Sequence, residues 1–128
     1  MRPLAGLRVI DLADEKGELC GRLLSDLGAD VLRLEPPEGA RSRNLPPFAP
    51  DGKTSLYFGF RNAGKRGGTI DLETAEGRER LLALLADADI LIESFAPGYL
   101  AGLGISPDRL MELAVCGLVA FSHVHHRY

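Results

Sequence analysis

The chain has 128 residues, 45% of them hydrophobic and 26% charged, with a formal net charge of −3; that is one domain's worth of chain, with enough apolar residues to bury a core. The basic residues, mostly Arg, are scattered and form no stripe for nucleic acid, and no window holds the roughly 18 apolar residues that a membrane span needs. Met1 to Leu12 has Asp11 inside its one apolar run and lacks signal-peptide organisation, while Cys20 and Cys116 stand far apart in no CxxC pattern, as reduced thiols do, so the cytoplasm is the expected compartment.

Residues 7–12 (LRVIDL) are rich in aliphatic and β-branched side chains and read as a strand. A polar turn follows from Asp14 to Gly17. Leu19, Leu23, Leu24 and Leu27 then recur at helical spacing, and Gly28 stops that helix, because glycine takes a left-handed backbone without penalty. Residues 31–34 are the next apolar run. Strand, helix and strand make a βαβ unit with a right-handed crossover.

Residues 35–55 hold five of the eight prolines (Pro36, Pro37, Pro46, Pro47 and Pro50) and predict a long surface loop, a feature that in compact domains is often functional. Residues 55–60 (SLYFGF) are apolar and aromatic, 61–68 form a basic, glycine-rich turn, and 69–72 a short strand. Thr74 is a good N-cap, with Glu76 and Glu79 near the positive end of the dipole. Leu81, Leu82, Leu84 and Leu85 supply a buried stripe, and the helix reaches to about Ala88. Residues 89–93 (DILIE) form a strand and 97–102 a turn or short helix. Ser106-Pro107 opens another helix, with proline at its first position, running to about Leu113. Residues 117–122 (GLVAFS) are the last strand. The repeated βαβ alternation gives an α/β class with a mostly parallel sheet.

Three constellations bear on chemistry. Gly59, Gly64 and Lys65 satisfy the first part of a phosphate loop, but Arg66 stands where a hydroxyl must hold magnesium, and a strand rather than a helix follows. That argues against nucleotide hydrolysis and leaves a basic turn that touches some anion, or a solvated turn. His123, His125 and His126 cluster at the end; in an extended chain His123 and His125 point the same way, but no Cys, Asp or Glu is near in sequence, and no metal site is expected. Asp11, Asp14, Glu15, Asp71 and Glu93 sit at strand ends or just after them, where open α/β sheets bind ligands; each alone reads more readily as a cap or turn residue. There is no GxSxG elbow and no GxGxxG after the first strand. These residues describe an α/β domain with a candidate site for an anionic ligand.

A set of segments in fixed order adds to this: PLAGLRVIDL, then CGRLLSDLGADVLRLEPPEG, then SLYFGFRNAGKRGGTIDLETAEGRERLLALLADADILIESFAPGYLAGLGIS. From Leu4 to about Leu113 the order resembles family III (CaiB/BaiF-type) acyl-CoA transferases. The most specific pieces are DLGADV at residues 26–31 running into Glu35-Pro36-Pro37, the Gly64-Lys65-Arg66 turn before Asp71-Leu72, and Glu93-Ser94-Phe95 with Pro97-Gly98. Asp14-Glu15-Lys16-Gly17 stands where most members carry a Gly-Pro ahead of the cysteine that starts the first helix. This DEKG-type pattern is similar to one branch, whose members are described as CoA-transferases or as relatives of acyl-CoA racemases.

The resemblance implies a Rossmann-like, mostly parallel sheet flanked by helices, with residues 1–128 forming an incomplete half of the family's large domain. It implies interlocked subunits, and hence a homo-oligomer, or association with the remainder of a split enzyme. Coenzyme A, as an acyl-CoA thioester, is then the substrate, with no separate cofactor. The CoA-contacting positions correspond to Glu15 and Lys16, to the run Ile70-Asp71-Leu72-Glu73, and to Ser94, Phe95 and Ala96. Backbone groups at strand ends would bond the adenine and pantetheine, and Phe95 would pack on the ligand. The arginines that often face the CoA phosphates correspond to Pro36 and Gly102, and a later one to Ala96, so a weak grip on the phosphates is expected. The family's catalytic Asp, which forms covalent anhydride and thioester intermediates, corresponds to no residue of this chain. Members continue through an Asn-Pro into a strand and a glycine-rich stretch, whereas here Val115-Cys116-Gly117 leads to SHVHHRY, which suggests a truncated frame. The implied function is that of an acyl-CoA:carboxylate CoA-transferase relative supplying a CoA-binding segment. The alternatives are a non-catalytic partner subunit, a racemase relative and an inactive remnant.

Overall fold

The apolar run that begins after Arg8 forms the middle strand of a five-stranded sheet. In the computed structural model, residues 2–106, 108, 109 and 119–122 are described, the last four by their backbone. The strands are β1 (Arg8–Asp11), β2 (Asp30–Glu35), β3 (Arg66–Thr69), β4 (Ile90–Glu93) and β5 (Val119–Ser122). They lie in the order β3-β2-β1-β4-β5, and every neighbouring pair is parallel. Val9 stands opposite Val31 on one side and Ile90 on the other. The parallel α/β sheet expected from the repeated βαβ pattern is thus the one observed. Its helices are α1 (Glu18–Asp26), α2 (Leu56–Asn62), α3 (Ala75–Ala86) and α4 (Tyr99–Gly102). None of the described helices is long and apolar enough to cross a membrane.

A parallel sheet is covered on both faces, so neighbouring side chains along each strand enter different cores. Ile10, Leu34 and Leu91 pack with Leu81 and Leu85 of α3. Val9, Val31 and Ile92 pack on the other face with Ala13, Ala29 and the half-buried Leu24 and Cys20. Leu81 and Leu85 are fully buried, and each such side chain contributes about 1.5–3 kcal/mol. The α3 helix starts where expected: the Thr74 hydroxyl accepts the Gly77 N–H at 3.0 Å. Gly77 is required there, because a Cβ would lie 1.7 Å from the Asp71 carbonyl oxygen. Leu84, expected in the stripe, is instead exposed.

The leucine periodicity of α1 locates the helix, yet Leu19, Leu23 and Leu27 lie on its exposed side. The buried positions are Glu18 and Gly21. Gly28 ends the helix with φ +105°.

Two sequence expectations are corrected. Residues 56–62 form a helix, capped by Ser55 Oγ accepting the Phe58 N–H at 3.1 Å, so the glycine-rich turn is confined to residues 63–65. The strand expected at 69–72 runs instead from Arg66 to Thr69, because the Arg66-Gly67-Gly68-Thr69 backbone pairs with the β2 edge. That leaves Ile70, Asp71 and Leu72 in the turn beyond the strand end. The proline-rich loop is braced by a 3₁₀ turn at Arg41–Asn44 and by an antiparallel bridge between Phe48 and Ser55. Residues 107 and 110–113 of the helix expected after Ser106, Cys116, the first two residues of the last expected strand, and His123, His125 and His126 lie outside the described residues.

Candidate functional site: the cleft at the carboxyl ends of the strands

From β1 the chain steps outward to β2 and β3, then returns to lay β4 on the opposite side of β1. The loops after β1 and β4 therefore leave the sheet in different directions, and a crevice opens between them, the topological switch point where open α/β sheets take ligands. Here it is a cleft of about 710 Å³. The loop after β1 supplies Asp14 and Lys16, the loop after β2 Pro36, Arg41 and Asn44, the turn after β3 Ile70 to Glu73, and the loop after β4 Ser94, Phe95, Ala96 and Tyr99.

One hydroxyl fastens two of these loops. Ser94 Oγ accepts the Asp14 N–H at 2.8 Å and donates to Asp14 Oδ1 at 2.7 Å. Asp14 also accepts the Lys16 N–H at 3.0 Å and pairs with Lys16 Nζ at 3.2 Å. Burial works to raise the Asp14 carboxyl, but the Ser94 hydroxyl and the Lys16 amide and ammonium together outweigh it and hold the group below its ordinary range.

The opposite wall is aromatic. Phe95 and Tyr99 have ring centroids 4.8 Å apart, and the Tyr99 hydroxyl donates to Glu73 Oε1 at 2.8 Å. The Glu73 bond, with burial, raises the phenol above its ordinary value. Asp71 Oδ1 accepts the Glu73 N–H at 3.0 Å and so shapes its own turn.

The loop after β2 is pinned by Glu35. Its carboxylate accepts both Arg43 Nε and Nη2, at 2.6 and 2.7 Å, and the Ala40 N–H at 2.8 Å. The Arg43 bond is the main reason that the Glu35 carboxyl lies below its usual range. The Arg43 guanidinium also stacks 4.0 Å from the Phe58 ring centroid.

Behind the cleft floor lies a buried ionic cluster. Lys65 Nζ is 2.6 Å from Asp11 Oδ2 and donates to the Glu18 carbonyl at 2.8 Å and to Asn62 Oδ1 at 2.9 Å. Glu18 Oε2 accepts from the Ser42 hydroxyl at 2.9 Å and from Asn62 Nδ2 at 2.6 Å. Arg33 Nη2 lies 3.6 Å from that oxygen. Two acids and two bases make the cluster neutral, the condition for tolerating charge in an interior. Gly21 leaves room for it, since a Cβ there would lie 2.4 Å from Asp11 Oδ2. Of the basic turn at Gly64-Lys65-Arg66, only the Lys65 side chain is buried and closed to an external anion, while Gly64 and Arg66 are exposed. Lys65 pairs with Asp11 in the interior, and Arg66 pairs with Asp30 at the surface, with bonds of 2.8 and 2.9 Å.

Of the nine expected ligand-contacting positions, eight line the one cleft: Lys16, Ile70, Asp71, Leu72, Glu73, Ser94, Phe95 and Ala96. Glu15 does not. Its Oε1 pairs with Arg41 at 2.5 Å and its carbonyl accepts from Arg61 at 3.2 Å. Of the strand-end acids, Asp14 and Asp71 face the cleft, Asp11 belongs to the buried cluster, and Glu93 Oε2 accepts the Phe95 N–H at 2.9 Å. Sequence reasoning missed Glu18, Arg33, Ser42 and Asn62, whose partners are far apart in the chain. It also missed Arg41, which a search for cations in the proline-rich loop would have found.

The model of CoA-transferase family III matches residues 4–119. The chain is 42% identical over 106 residues to the succinyl-CoA:(R)-benzylsuccinate CoA-transferase subunit BbsE of Thauera aromatica, a match that covers 80% of this chain and 26% of that protein. It is 40% identical over 116 residues to the succinyl-CoA:mesaconate CoA-transferase of Haloarcula hispanica, covering 88% of this chain and 29% of the relative. The crystal structure of a CaiB/BaiF family protein from Brucella suis superposes with a TM-score of 0.85 at 39% identity, over 94% of this chain and 32% of that one. The chain thus spans less than a third of the length of these relatives. With the switch-point cleft and a family match that runs through all of its loops, this chain belongs to CoA-transferase family III.

Proposed function

We propose that the cleft binds the CoA moiety of an acyl-CoA, and that residues 1–128 are the CoA-binding, N-terminal part of the large domain of an acyl-CoA:carboxylate CoA-transferase. The observation that carries this reading is the convergence of Lys16, Ile70–Glu73 and Ser94–Ala96, from three separate strand ends, on one cleft of about 710 Å³. That volume lies in the range that holds a cofactor-sized ligand. Phe95 and Tyr99 give an apolar wall for a base or pantetheine arm, and the strand-end backbone gives fixed donors and acceptors. The relatives named for succinyl-CoA and mesaconate or benzylsuccinate suggest a carboxylic acid as acyl acceptor.

Three of the four acids lining the cleft, Asp14, Asp71 and Glu73, are poorly suited to attack a thioester. Asp14 is held ionised by three donors, and each acceptor bond lowers the nucleophilicity of the oxygen that receives it. Asp71 and Glu73 are bonded to the turn and to Tyr99. The covalent chemistry then falls to a carboxylate outside these residues. Calorimetry with CoA and an acyl-exchange assay, both on the purified 128-residue chain, test the two halves. Binding without exchange is the expected result. Absence of binding overturns the cleft reading, and exchange by this chain alone overturns the assignment of the chemistry.

A second reading is a CoA-binding subunit that works with a separate chain. It is favoured by the relative from Thauera aromatica, itself named as a subunit. Co-purification of a second polypeptide that restores exchange would establish it.

A further inference from the structure

We propose that Arg41 is the phosphate-binding residue of the cleft, standing in for the missing arginine at Pro36. This rests on the reading of the cleft as a CoA site and adds the residue that would grip the ligand's anionic end.

The argument is one of elimination among charges. Four carboxylates line the cleft, those of Asp14, Glu38, Asp71 and Glu73, so a polyanion can enter only beside a cation that offsets them. Three cations line it: Lys16, Arg33 and Arg41. Arg33 is 3% exposed and bonds the carbonyls of Asp11 and Leu34. Lys16 pairs with Asp14 at 3.2 Å, and its side chain is only 34% exposed. Arg41 has a side chain that is 78% exposed, with Glu15 Oε1 at 2.5 Å on one edge of the guanidinium.

The backbone under Arg41 is fixed from both sides. The Ala40 N–H is held by Glu35. Ser42 is fully buried; its hydroxyl donates to Glu18 Oε2 at 2.9 Å and its carbonyl accepts from Ser55 Oγ at 3.2 Å. With the backbone pinned, only the side chain remains to be ordered on phosphate binding, and the planar fork of arginine suits two phosphate oxygens better than lysine does. The buried cluster thus has a role toward the cleft: through Ser42 it positions the residue that meets the ligand.

The test is calorimetry on the whole chain with three probes: CoA, dephospho-CoA and pantetheine. It uses the wild type, Arg41→Ala, Arg41→Lys and, as a control remote from the cleft, Lys53→Ala. Arg41→Ala is expected to weaken CoA binding about ten- to a hundredfold, as loss of a charge-assisted bond to phosphate does, and to leave pantetheine unchanged. Arg41→Lys should recover part of the loss, and Lys53→Ala should match the wild type. If the loss disappears with dephospho-CoA, the contact is to the 3′-phosphate; if it persists, the contact is to the diphosphate, and both support the proposal. CoA binding that is equally tight in Arg41→Ala overturns it while leaving the CoA site intact. An equal loss with pantetheine also overturns it, since Arg41 would then act on shape rather than on phosphate. A wild type that binds none of the three removes the CoA reading itself.

Discussion

Lys65 Nζ lies 2.6 Å from Asp11 Oδ2, and both side chains are buried to within 1% of complete. The pair joins the end of the central strand β1 to the turn before β3, and Asp11 Oδ1 also accepts the Ala13 N–H at 2.9 Å at the start of the cleft loop. Lys65→Met leaves the Asp11 carboxylate with the Ala13 N–H and, among the described cations, with Arg33 at 4.0 Å. The expected loss is about 3–5 kcal/mol, typical of stranding one partner of a buried pair. The double variant Asp11→Asn with Lys65→Met should lose less than Lys65→Met alone, because no charge is left behind. Urea unfolding of the single and double variants measures the difference.

Ser94→Ala removes the hydroxyl that bonds Asp14 twice. With burial still acting to raise the carboxyl and its strongest opposing bond gone, the Asp14 carboxyl should titrate at higher pH than in the wild type. NMR titration of the side-chain carboxyl carbon reads this directly. An unchanged midpoint would contradict the assigned cause.

Gly77→Ala should be among the worst single-methyl additions in the chain. The new Cβ would meet the Asp71 carbonyl oxygen at 1.7 Å, a backbone atom with no room to yield. We expect a loss of about 1–3 kcal/mol or more, read as a lowered midpoint in thermal unfolding. On the proposed reading of the cleft, CoA affinity should fall with it, since the displaced turn carries Asp71 and Glu73.

Glu35 and Asp14 give the fold an acid limit. Both carboxyls are held below their ordinary values in the folded chain, so the unfolded chain binds those protons more readily. The stabilisation is fully present above the unfolded values, about 3.9–4.3, and is lost as pH falls through the folded ones. Glu35→Gln should lower stability at neutral pH and flatten its acid dependence. Unfolding midpoints measured between pH 2 and pH 7 test both effects.

What the sequence made legible follows from where local pattern and tertiary context agree. The strands at Val9, Val31 and Leu91 are buried on two faces, so their apolar runs announce them. The α3 helix carries its cap, its acidic first turn and its core leucines in order. The α2 helix was not legible, because Leu56 and Phe60 lie on its exposed side and its seven residues hold no buried stripe; the Ser55 cap was its only local signal. Nor was β3, since Arg66-Gly67-Gly68-Thr69 has turn-like composition and becomes a strand only because β2 offers it an edge. In the cleft, the resemblance led to residues that the fold brings together, whereas Glu15 turned instead toward Arg41. The buried cluster escaped notice because its charges look like surface residues until pairing over dozens of positions is known.

The place of β1 in the middle of the sheet also bears on how the chain comes to be made. Val9 finds its partner Val31 early in synthesis, but its other partner, Ile90, emerges only after β2, the proline-rich loop, β3 and α3 have left the ribosome. Throughout that interval the strand that ends as the most sheltered is an open, apolar edge, able to pair with any neighbouring nascent chain. Every strand pair is parallel and must wait for a crossover, which makes folding intrinsically slow. Docking of β4 closes that edge, so substitutions that delay α3 or β4 should lower soluble yield even where the finished fold tolerates them.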